Sequence, residues 1–227
     1  MLNFKHSRCV SALFLATASQ FTIALPQFIN EFHYDNAGPD VDEYVEIAGL
    51  SGSDLSGWRL DFYNGTNGQI YSSWGLSGII DDEGQGWGAL SFSGGGLQNG
   101  TKDGIALVDS VGSLIQFISY EGVLTGTEGA ANGISSVDVG VAETTSTLIG
   151  TSLQLNGSGP GWQDFSWASA ASSFGQLNAG QTFVQPSLPT TLPTTPPTTA
   201  QSVSEPHPLV LFLMGFAGLM ARRLARR

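Results

Sequence analysis

The residues of this chain best suited to acid-base chemistry lie in one short segment, where His33 stands between Glu31 and Asp35. A histidine beside a carboxylate can act as a general base near neutral pH. Such a base also needs a nucleophile and a group that orients its ring. The segment equally fits an ordinary strand, and the sequence has no Gly-x-Ser-x-Gly, no glycine-rich phosphate loop followed by lysine and no His-Glu-x-x-His motif. We therefore expect a protein without catalytic activity.

Acidic clusters predict a second kind of chemistry, the binding of Ca²⁺. The residues concerned are Asp35, Asp40, Asp42 and Glu43 in one cluster and Asp81, Asp82 and Glu83 in another. Ca²⁺ takes six to eight oxygen ligands, which extracellular proteins supply from such loops. Neither cluster has the Asp-x-Asp-x-Asp-Gly spacing of a known calcium loop, and solvated acidic loops are common on acidic proteins. Both interpretations stay open, and no other cofactor is expected.

Four tryptophans offer surfaces for a ligand, because an exposed indole can stack on a sugar or anchor a protein partner. They lie in segments rich in glycine and serine and are Trp74, Trp87, Trp162 and Trp167. Since a domain without disulfides needs large apolar residues in its core, we expect most of them to be buried. Trp87 stands between two glycines and is the one we expect nearest the surface, with Trp74 as a further ligand-binding candidate.

The elements that must position these residues are predicted to be strands and turns. Residues 58–63 alternate between apolar and polar side chains, and a turn rich in asparagine and glycine follows at 63–69. Residues 105–108 and 114–118 flank a short polar loop and predict a second hairpin. The chain has 30 glycines, and its body lacks the spacing of apolar residues that is typical of helices. We therefore expect an all-β fold, either a sandwich or a barrel.

Six short motifs follow one another along the chain: INEFH at 29–33, EYVEI at 43–47, DLSGW at 54–58, DGIALVD at 103–109, FISYEG at 117–122 and FGQLNAG at 174–180. Taken in order, they resemble the motifs of the lamin-tail domain family. The resemblance covers about residues 28–183 and implies an immunoglobulin-like β-sandwich for the body of the chain, residues 25–185. In the bacterial branch of that family the domain is often attached to secreted nucleases or phosphatases, and its proposed roles are binding of nucleic acid, protein or membrane.

The charge of the body narrows the choice of ligand. Residues 25–185 hold only two basic residues, Arg59 and Lys102, against eighteen acidic ones, which gives a formal charge of −16. Such a surface repels a phosphate backbone. We therefore expect an extracellular protein or glycan as ligand, and direct nucleic-acid binding is disfavoured.

The N-terminus has the three-part layout of a secretory signal peptide, which we predict for residues 1–24. A basic start precedes an apolar run at residues 9–16, and small residues at Ala18 and Ala24 offer cleavage sites. The only cysteine of the chain, Cys9, would leave with this segment. The mature protein is then expected to have no disulfide, no thiolate metal site and no cysteine nucleophile.

The C-terminus divides into a linker and a sorting or anchoring segment. Residues 186–203 are rich in proline and threonine and predict a disordered, extended stalk. Residues 204–227 contain an apolar run at 209–221, which predicts a short helix. Thirteen helical residues reach about 20 Å, whereas the hydrocarbon core of a bilayer is about 30 Å thick. This length favours a transient hold in the inner membrane before processing over a lasting anchor.

The apolar run near the C-terminus is flanked by a short polar motif and by arginines: Ser204, Glu205, Pro206, Arg222, Arg223, Arg226 and Arg227. With these residues the segment resembles the PEP-CTERM sorting signal of Gram-negative bacteria, which an exosortase processes. The serine stands where that signal usually has a proline. Two alternatives fit less well, because the Leu-Pro-Thr-Thr sequences within 188–195 lack the glycine of a sortase site and a GPI signal normally ends in apolar residues.

Together these patterns predict a non-catalytic module that is secreted and sorted to the cell envelope. There it would bind a ligand or form part of a surface matrix, and an exosortase-type enzyme would be its processing partner. The alternative is an accessory subunit that holds substrate, in a Ca²⁺-dependent way, for a separate secreted hydrolase of the nuclease or phosphatase type.

Overall fold

The computed structural model describes residues 27–184, which are built almost entirely of β-strands. The eleven strands in this range, β1 to β11 in chain order, are Phe28–His33, Tyr44–Leu50, Arg59–Tyr63, Ile70–Gly75, Trp87–Ser93, Gly104–Val108, Leu114–Ser119, Val137–Asp138, Thr151–Gly159, Phe165–Ala171 and Gln181–Phe183. Helical residues in the described part are confined to two short 3-10 turns. The prediction of an all-β fold is confirmed. The signal peptide predicted at 1–24, the linker at 186–203 and the sorting segment at 204–227 lie outside the described residues.

The strands form two sheets. The six-stranded sheet has the order β10-β9-β1-β2-β5, and β11 pairs in parallel with β9. The five-stranded sheet has the order β4-β3-β6-β7-β8. Both predicted hairpins are present in it, because β3 pairs antiparallel with β4 and β6 pairs antiparallel with β7.

The two sheets pack face to face around an apolar core, which makes the body a β-sandwich. The six-stranded sheet contributes Ile29, Phe32, Val45, Ile47 and Leu153, and the five-stranded sheet contributes Leu60, Phe62, Ile105, Leu107 and Ile118. Alternate residues of a strand point to opposite faces of its sheet, so the strand pattern of the sequence delivers these side chains to one layer. Burial of each large apolar side chain contributes roughly 1.5–3 kcal/mol to stability.

The strand register brings four connecting segments to one end of the six-stranded sheet. His33 at the end of β1 is opposite Tyr44, and Tyr44 is opposite Ser93 at the end of β5. Thr151 at the start of β9 is opposite Ala171 at the end of β10. The segments that meet there are residues 34–43, 94–103, 139–150 and 172–180. We call this region the loop end and the last of its segments, residues 172–180, the strap.

A second apolar cluster covers the outer face of the six-stranded sheet and contains Trp87. Its buried members are Phe28, Ala48, Trp87, Leu155, Phe165 and Phe183. The expectation that Trp87 lies near the surface is wrong, because the residue is 2% exposed and its ring stacks on Phe183 with 4.3 Å between centroids. The flanking Gly88 marks a close approach of two backbones rather than an open loop. A Cβ atom there would lie 2.1 Å from the carbonyl oxygen of Asp81.

Candidate functional site

His33 is the last residue of β1, and its buried ring contacts two loops of the loop end, residues 34–43 and 139–150. Its Nδ1 lies 2.8 Å from Glu143 Oε1, and its Nε2 lies 3.2 Å from Asn36 Oδ1 and 3.1 Å from the carbonyl oxygen of Val41. Burial lowers the pKa of the ring, but the hydrogen bond and charge of Glu143, together with the hydrogen bonds to Asn36 and Val41, outweigh it, so the pKa of His33 is raised above its ordinary value. Both ring nitrogens face acceptors, so the protonated ring can donate on both sides. This geometry matches the strand interpretation of the segment.

Glu143 is the buried partner of His33, and no sequence motif marks it. The residue is 1% exposed, and its Oε2 accepts from the backbone N–H groups of Tyr34 at 2.7 Å and Asp35 at 3.0 Å. Its own backbone N–H donates to the Tyr34 hydroxyl at 2.8 Å. Glu143 thus fixes the start of the loop that follows β1. Its neighbours in sequence have neither a strand period nor a ligand spacing, so only the fold reveals its role.

Asp35 and Asp40 of the first acidic cluster lie side by side next to Asn99. Asp40 and Asn99 are both within hydrogen-bonding reach of the Asp35 carboxyl group, and Asn99 Nδ2 lies 3.2 Å from Asp40 Oδ2. Asp35 is 5% exposed, and its Oδ1 has no hydrogen-bond partner among the described residues. Burial, and then the adjacent Asp40 carboxyl, raise the pKa of Asp35. Two of the predicted calcium ligands are therefore together.

The other two members of that cluster, Asp42 and Glu43, have different roles from Asp35 and Asp40. Glu43 Oε2 accepts from the backbone N–H of Gly96 and, at 3.2 Å, from that of Leu97, so it fixes the loop after β5. Asp42 is exposed and lines two neighbouring clefts at the loop end. The four carboxylates are close in sequence, but the fold separates the roles of Asp42 and Glu43 from that of the Asp35 and Asp40 pair.

The strap is held on the six-stranded sheet by two buried glutamates. Glu31 of β1 and Glu46 of β2 are paired directly across the strand register, and both are fully buried. A register shift between Ile29 and Glu31 accompanies this arrangement. Two adjacent buried carboxylates repel each other, and this repulsion must be offset by hydrogen-bond donors or by protonation of one group. The two residues solve this problem in different ways.

Glu31 is compensated by donors. Its carboxylate accepts from the hydroxyl groups of Tyr44 and of Ser152, the latter at 2.6 Å. It also accepts from the hydroxyl and, at 2.9 Å, from the backbone N–H of Ser173 in the strap. Four hydrogen bonds thus converge on the two oxygens of this buried side chain.

Glu46 is compensated by a proton. It accepts from Asn30 Nδ2 at 3.0 Å, from the Ser91 hydroxyl at 2.7 Å and from the backbone N–H of Gly175 in the strap at 2.8 Å. Burial, opposed in part by these donors and aided by the charge of Glu31, raises the pKa of Glu46 to about 8. At neutral pH the Glu46 carboxyl group is therefore largely protonated.

Phe174 lies in the strap and forms an exposed aromatic corner with Tyr44. The two rings are nearly perpendicular, at 86°, with 4.9 Å between centroids, and Phe174 is 51% exposed. Together with Asp42, Ile149 and other residues they line a cleft of about 360 Å³. A neighbouring cleft of about 390 Å³ shares Asp42 and extends along the glycine loop at 94–96. Sequence reasoning considered tryptophans as ligand platforms and so missed Phe174.

Trp74, the other predicted ligand-binding tryptophan, supports the loop beside the second cleft. Its ring is half-buried and lies 4.5 Å from that of Phe62. The other neighbour is Gly94, where a Cβ atom would come within 2.6 Å of the indole. The indole therefore packs under the glycine loop, and its contact with a ligand stays a prediction.

The second acidic cluster fixes a turn and the strap. Asp82 accepts from two glycine N–H groups in its own turn, at 2.9 and 3.1 Å. Glu83 accepts from the backbone N–H of Ala89 at 2.7 Å and from that of Leu177 in the strap at 2.6 Å, while Asp81 is exposed. Nowhere in the described residues are three or more His, Cys, Asp or Glu side chains placed to hold a metal ion. Neither cluster therefore forms a calcium site from its carboxylates alone.

Trp162 and Trp167 line a separate, mainly apolar groove of about 430 Å³. Val137, Val139 and Phe165 contribute to the same groove. Both indoles are half-buried, and that of Trp167 packs edge-on against the core residue Phe32. These two tryptophans are thus partly core and partly surface, in line with the expectation that most tryptophans serve packing.

The comparisons with known proteins give no relative: no protein-family model, curated protein or solved structure matches this chain. Within the part that the structure describes, no helix has the length and apolar character needed to cross a bilayer.

Proposed function

We propose that this chain is a non-catalytic binding or surface-matrix module that is secreted and sorted to the cell envelope. The β-sandwich of the described residues is compatible with the immunoglobulin-like lamin-tail domain that six sequence motifs resemble. The basic and apolar start of the chain supports export, and the Glu205-Pro206 pair with its terminal arginines supports sorting by an exosortase. In this proposal the sandwich carries the ligand and residues 186–203 display it.

The observation that carries the proposal is the aromatic corner at the loop end. Phe174 is half-exposed beside a cleft, although the strap around it is held by buried glutamates. An aromatic ring on a rigid support is a good anchor for a protein partner or a sugar face, because little conformational entropy is lost when it binds. Ile149, which is 65% exposed, lines the same cleft and adds to this apolar surface.

The charge of the sandwich supports a protein or glycan ligand. The described residues include all eighteen acidic residues of the body and only two basic ones, so nucleic acid would be repelled at most approaches. Asp42 lies at the edge of the cleft, where it can accept hydrogen bonds from sugar hydroxyls or from basic side chains of a partner.

A matched pair of variants tests the binding surface in the mature protein. Phe174→Ala removes the aromatic corner, while Val111→Ala removes another apolar side chain, 83% exposed, from the β6–β7 turn. Retention on whole cells and on immobilised cell-surface glycans should fall by about tenfold or more for Phe174→Ala and stay unchanged for Val111→Ala. Equal retention of both variants would remove the loop end as the binding surface, and retention on cells but not glycans would indicate a protein ligand.

Intact mass spectrometry of the protein from its native envelope tests the sorting part of the proposal. Loss of both ends, with cleavage near residues 204–206, is the expected result. A chain that still ends at Arg227 would show that residues 209–221 serve as the anchor themselves. The four arginines would then act only as an orientation signal.

The Trp162 groove favours a second candidate function, an accessory subunit of a separate secreted hydrolase. Such a subunit needs one surface for substrate and another for the enzyme, and this apolar groove is distinct from the loop-end cleft. Co-purification of a nuclease or phosphatase with the wild-type protein, lost on Trp162→Ala but kept on Phe174→Ala, would support this alternative. Hydrolysis by the purified chain alone, abolished by a loop-end substitution, would contradict both functions.

A further inference from the structure

The carboxyl groups of Asp35 and Asp40 at the loop end accept no backbone N–H group among the described residues, and Asn99 Nδ2 is the donor that Asp40 has. The Asp35 carboxyl is nine-tenths buried, its Oδ1 has no partner among the described residues, and Asp40 lies within hydrogen-bonding reach of it. Glu31, Glu43 and Glu143, by contrast, each accept from backbone N–H groups. Two carboxyl groups in contact need either a shared proton or a cation between them.

Three side chains converge at this point from two different loops. Asp35 and Asp40 belong to the loop between β1 and β2, and Asn99 reaches them from the loop between β5 and β6. Carboxylate and amide oxygens are the ligands of hard cations such as Ca²⁺ rather than of zinc or copper. The amide of Asn99 can present either its oxygen or its NH₂ group to the pair.

The backbone holds the first two of these side chains in place. The Asp35 N–H donates to Glu143 Oε2 at 3.0 Å. The Asn36 side chain ties the rest of the loop together, since its Nδ2 lies 3.0 Å from the Pro39 carbonyl oxygen and its Oδ1 accepts from the Val41 N–H at 3.1 Å. Asp35 and Asp40 are therefore presented by a preorganised loop.

The third side chain is held from both sides. The N–H of Gln98 donates to the Tyr71 hydroxyl at 3.0 Å, and the N–H of Gly100 donates to Asp103 Oδ2 at 3.0 Å. Asn99, between these two anchored residues, is kept facing Asp40. A site built on anchored loops loses less entropy when it binds an ion.

We propose that Asp35, Asp40 and Asn99 bind Ca²⁺, with water and loop carbonyl oxygens completing its coordination. Two carboxylates and an amide are a small set of protein ligands, so an affinity in the range of extracellular calcium modules is expected, with Kd of about 10⁻⁴–10⁻³ M. The ion would join the β1–β2 loop to the β5–β6 loop beside the loop-end clefts. The cation site does not depend on which ligand those clefts take.

Thermal unfolding of the mature protein after treatment with a chelator tests the proposal. About 10 mM Ca²⁺ should raise Tm by roughly 3 to 10 °C, and Mg²⁺ should raise it less because it demands stricter octahedral geometry. Calorimetric titration with CaCl₂ should show one ion per chain. Absence of both the shift and the heat in the wild-type protein would overturn the site.

Substitution identifies the ligands. Asp40→Asn changes an exposed residue and should weaken Ca²⁺ binding by about tenfold or more, whereas Asp138→Asn, at another exposed aspartate, should leave the titration unchanged. Equal titration of Asp40→Asn and Asp138→Asn would place any bound Ca²⁺ elsewhere. If Asp40→Asn raised Tm equally with and without Ca²⁺, the pair would hold a shared proton and the proposal would be wrong.

Discussion

The two faces of the six-stranded sheet are both buried, but by opposite means. The inner face meets the five-stranded sheet through side chains such as Phe32 and Val45, which have no polar groups to satisfy. On the outer face Glu31 and Glu46 lie under the strap. Their burial is stabilised by hydrogen-bond donors, among them backbone N–H groups of the strap, and by a proton on Glu46. The inner face should therefore respond to changes in volume and the outer face to changes in charge and pH.

The largest effect is expected from a cavity on the inner face. Phe32 is fully buried, and its ring lies 5.6 Å from that of Tyr120 and 5.3 Å from that of Trp167. Phe32→Ala should lower the free energy of unfolding by about 3–5 kcal/mol, with no dependence on pH between 5 and 9 in that loss. Denaturant unfolding at several pH values measures it. Phe174→Ala, the exposed control, should change stability by less than about 0.5 kcal/mol.

Loss of the charge on Glu31 should produce the largest effect on the outer face. In Glu31→Gln an NH₂ group would face donors that now meet a carboxylate oxygen, among them the Ser173 N–H. The free energy of unfolding should fall by about 2–4 kcal/mol, because buried donors are left without an acceptor. Denaturant unfolding at pH 7 measures this loss. Glu128→Gln, at an exposed glutamate, should cost less than about 1 kcal/mol, and an equal cost for both variants would show that the strap does not depend on Glu31.

The same substitution at Glu46 should have the opposite sign above neutral pH. The pKa of Glu46 is about 8 in the folded chain against an ordinary 4.5, so the folded state holds the extra proton between these values. Its contribution to stability is then fully present below about pH 4.5 and is lost as the pH rises through about 8. Glu46→Gln keeps the neutral form and should be more stable than wild type by roughly 1–2 kcal/mol at pH 8.5. Equal or lower stability there, measured by thermal unfolding from pH 4 to 9, would place the shared proton elsewhere.

The strands could be predicted from short stretches of sequence, because apolar and polar residues alternate along a strand according to the face of the sheet they occupy. The β3–β4 and β6–β7 hairpins follow from alternation and turn residues within short windows, and both are present. The flanking glycines of Trp87 misled the prediction of exposure, because glycine marks both open loops and close backbone contacts. Only the paired strand distinguishes these two cases.

The residues of the loop end were harder to predict, because their partners are far apart in the sequence. Asp35 and Asp40 were predicted as calcium ligands from their proximity in the chain, but Asn99 joins them through the fold alone. Glu143 has no local signal, and the motif that begins at Phe174 does not show that this ring is exposed; each residue gains its role by the register that brings β9 and β10 beside β1. Charge density in a sequence predicts an acidic region without showing which carboxylates have donors.

The smallest expected effect separates His33 from Glu46, two groups of the outer face whose pKa values are raised. Protonated His33 donates to Glu143 from one ring nitrogen and to Asn36 and Val41 from the other, whereas the neutral ring has only one N–H. Because its folded pKa is raised above 6.5, this stabilisation is fully present below pH 6.5 and is lost as the pH rises through the folded value.

The Glu46→Gln protein should therefore still lose roughly 1 kcal/mol of stability as the pH rises above 6.5. This is the contribution of about one hydrogen bond. Adding His33→Gln to the Glu46→Gln protein should abolish the remaining dependence of stability on pH. Adding Phe32→Ala to the same protein should leave that pH dependence in place. Thermal unfolding of the three proteins across pH 5 to 9 measures the difference. If the loss of stability persisted in the His33 variant, another group of the outer face would titrate in this pH range. The inner face would still be independent of pH, but His33 would not be the second titrating group of the outer face.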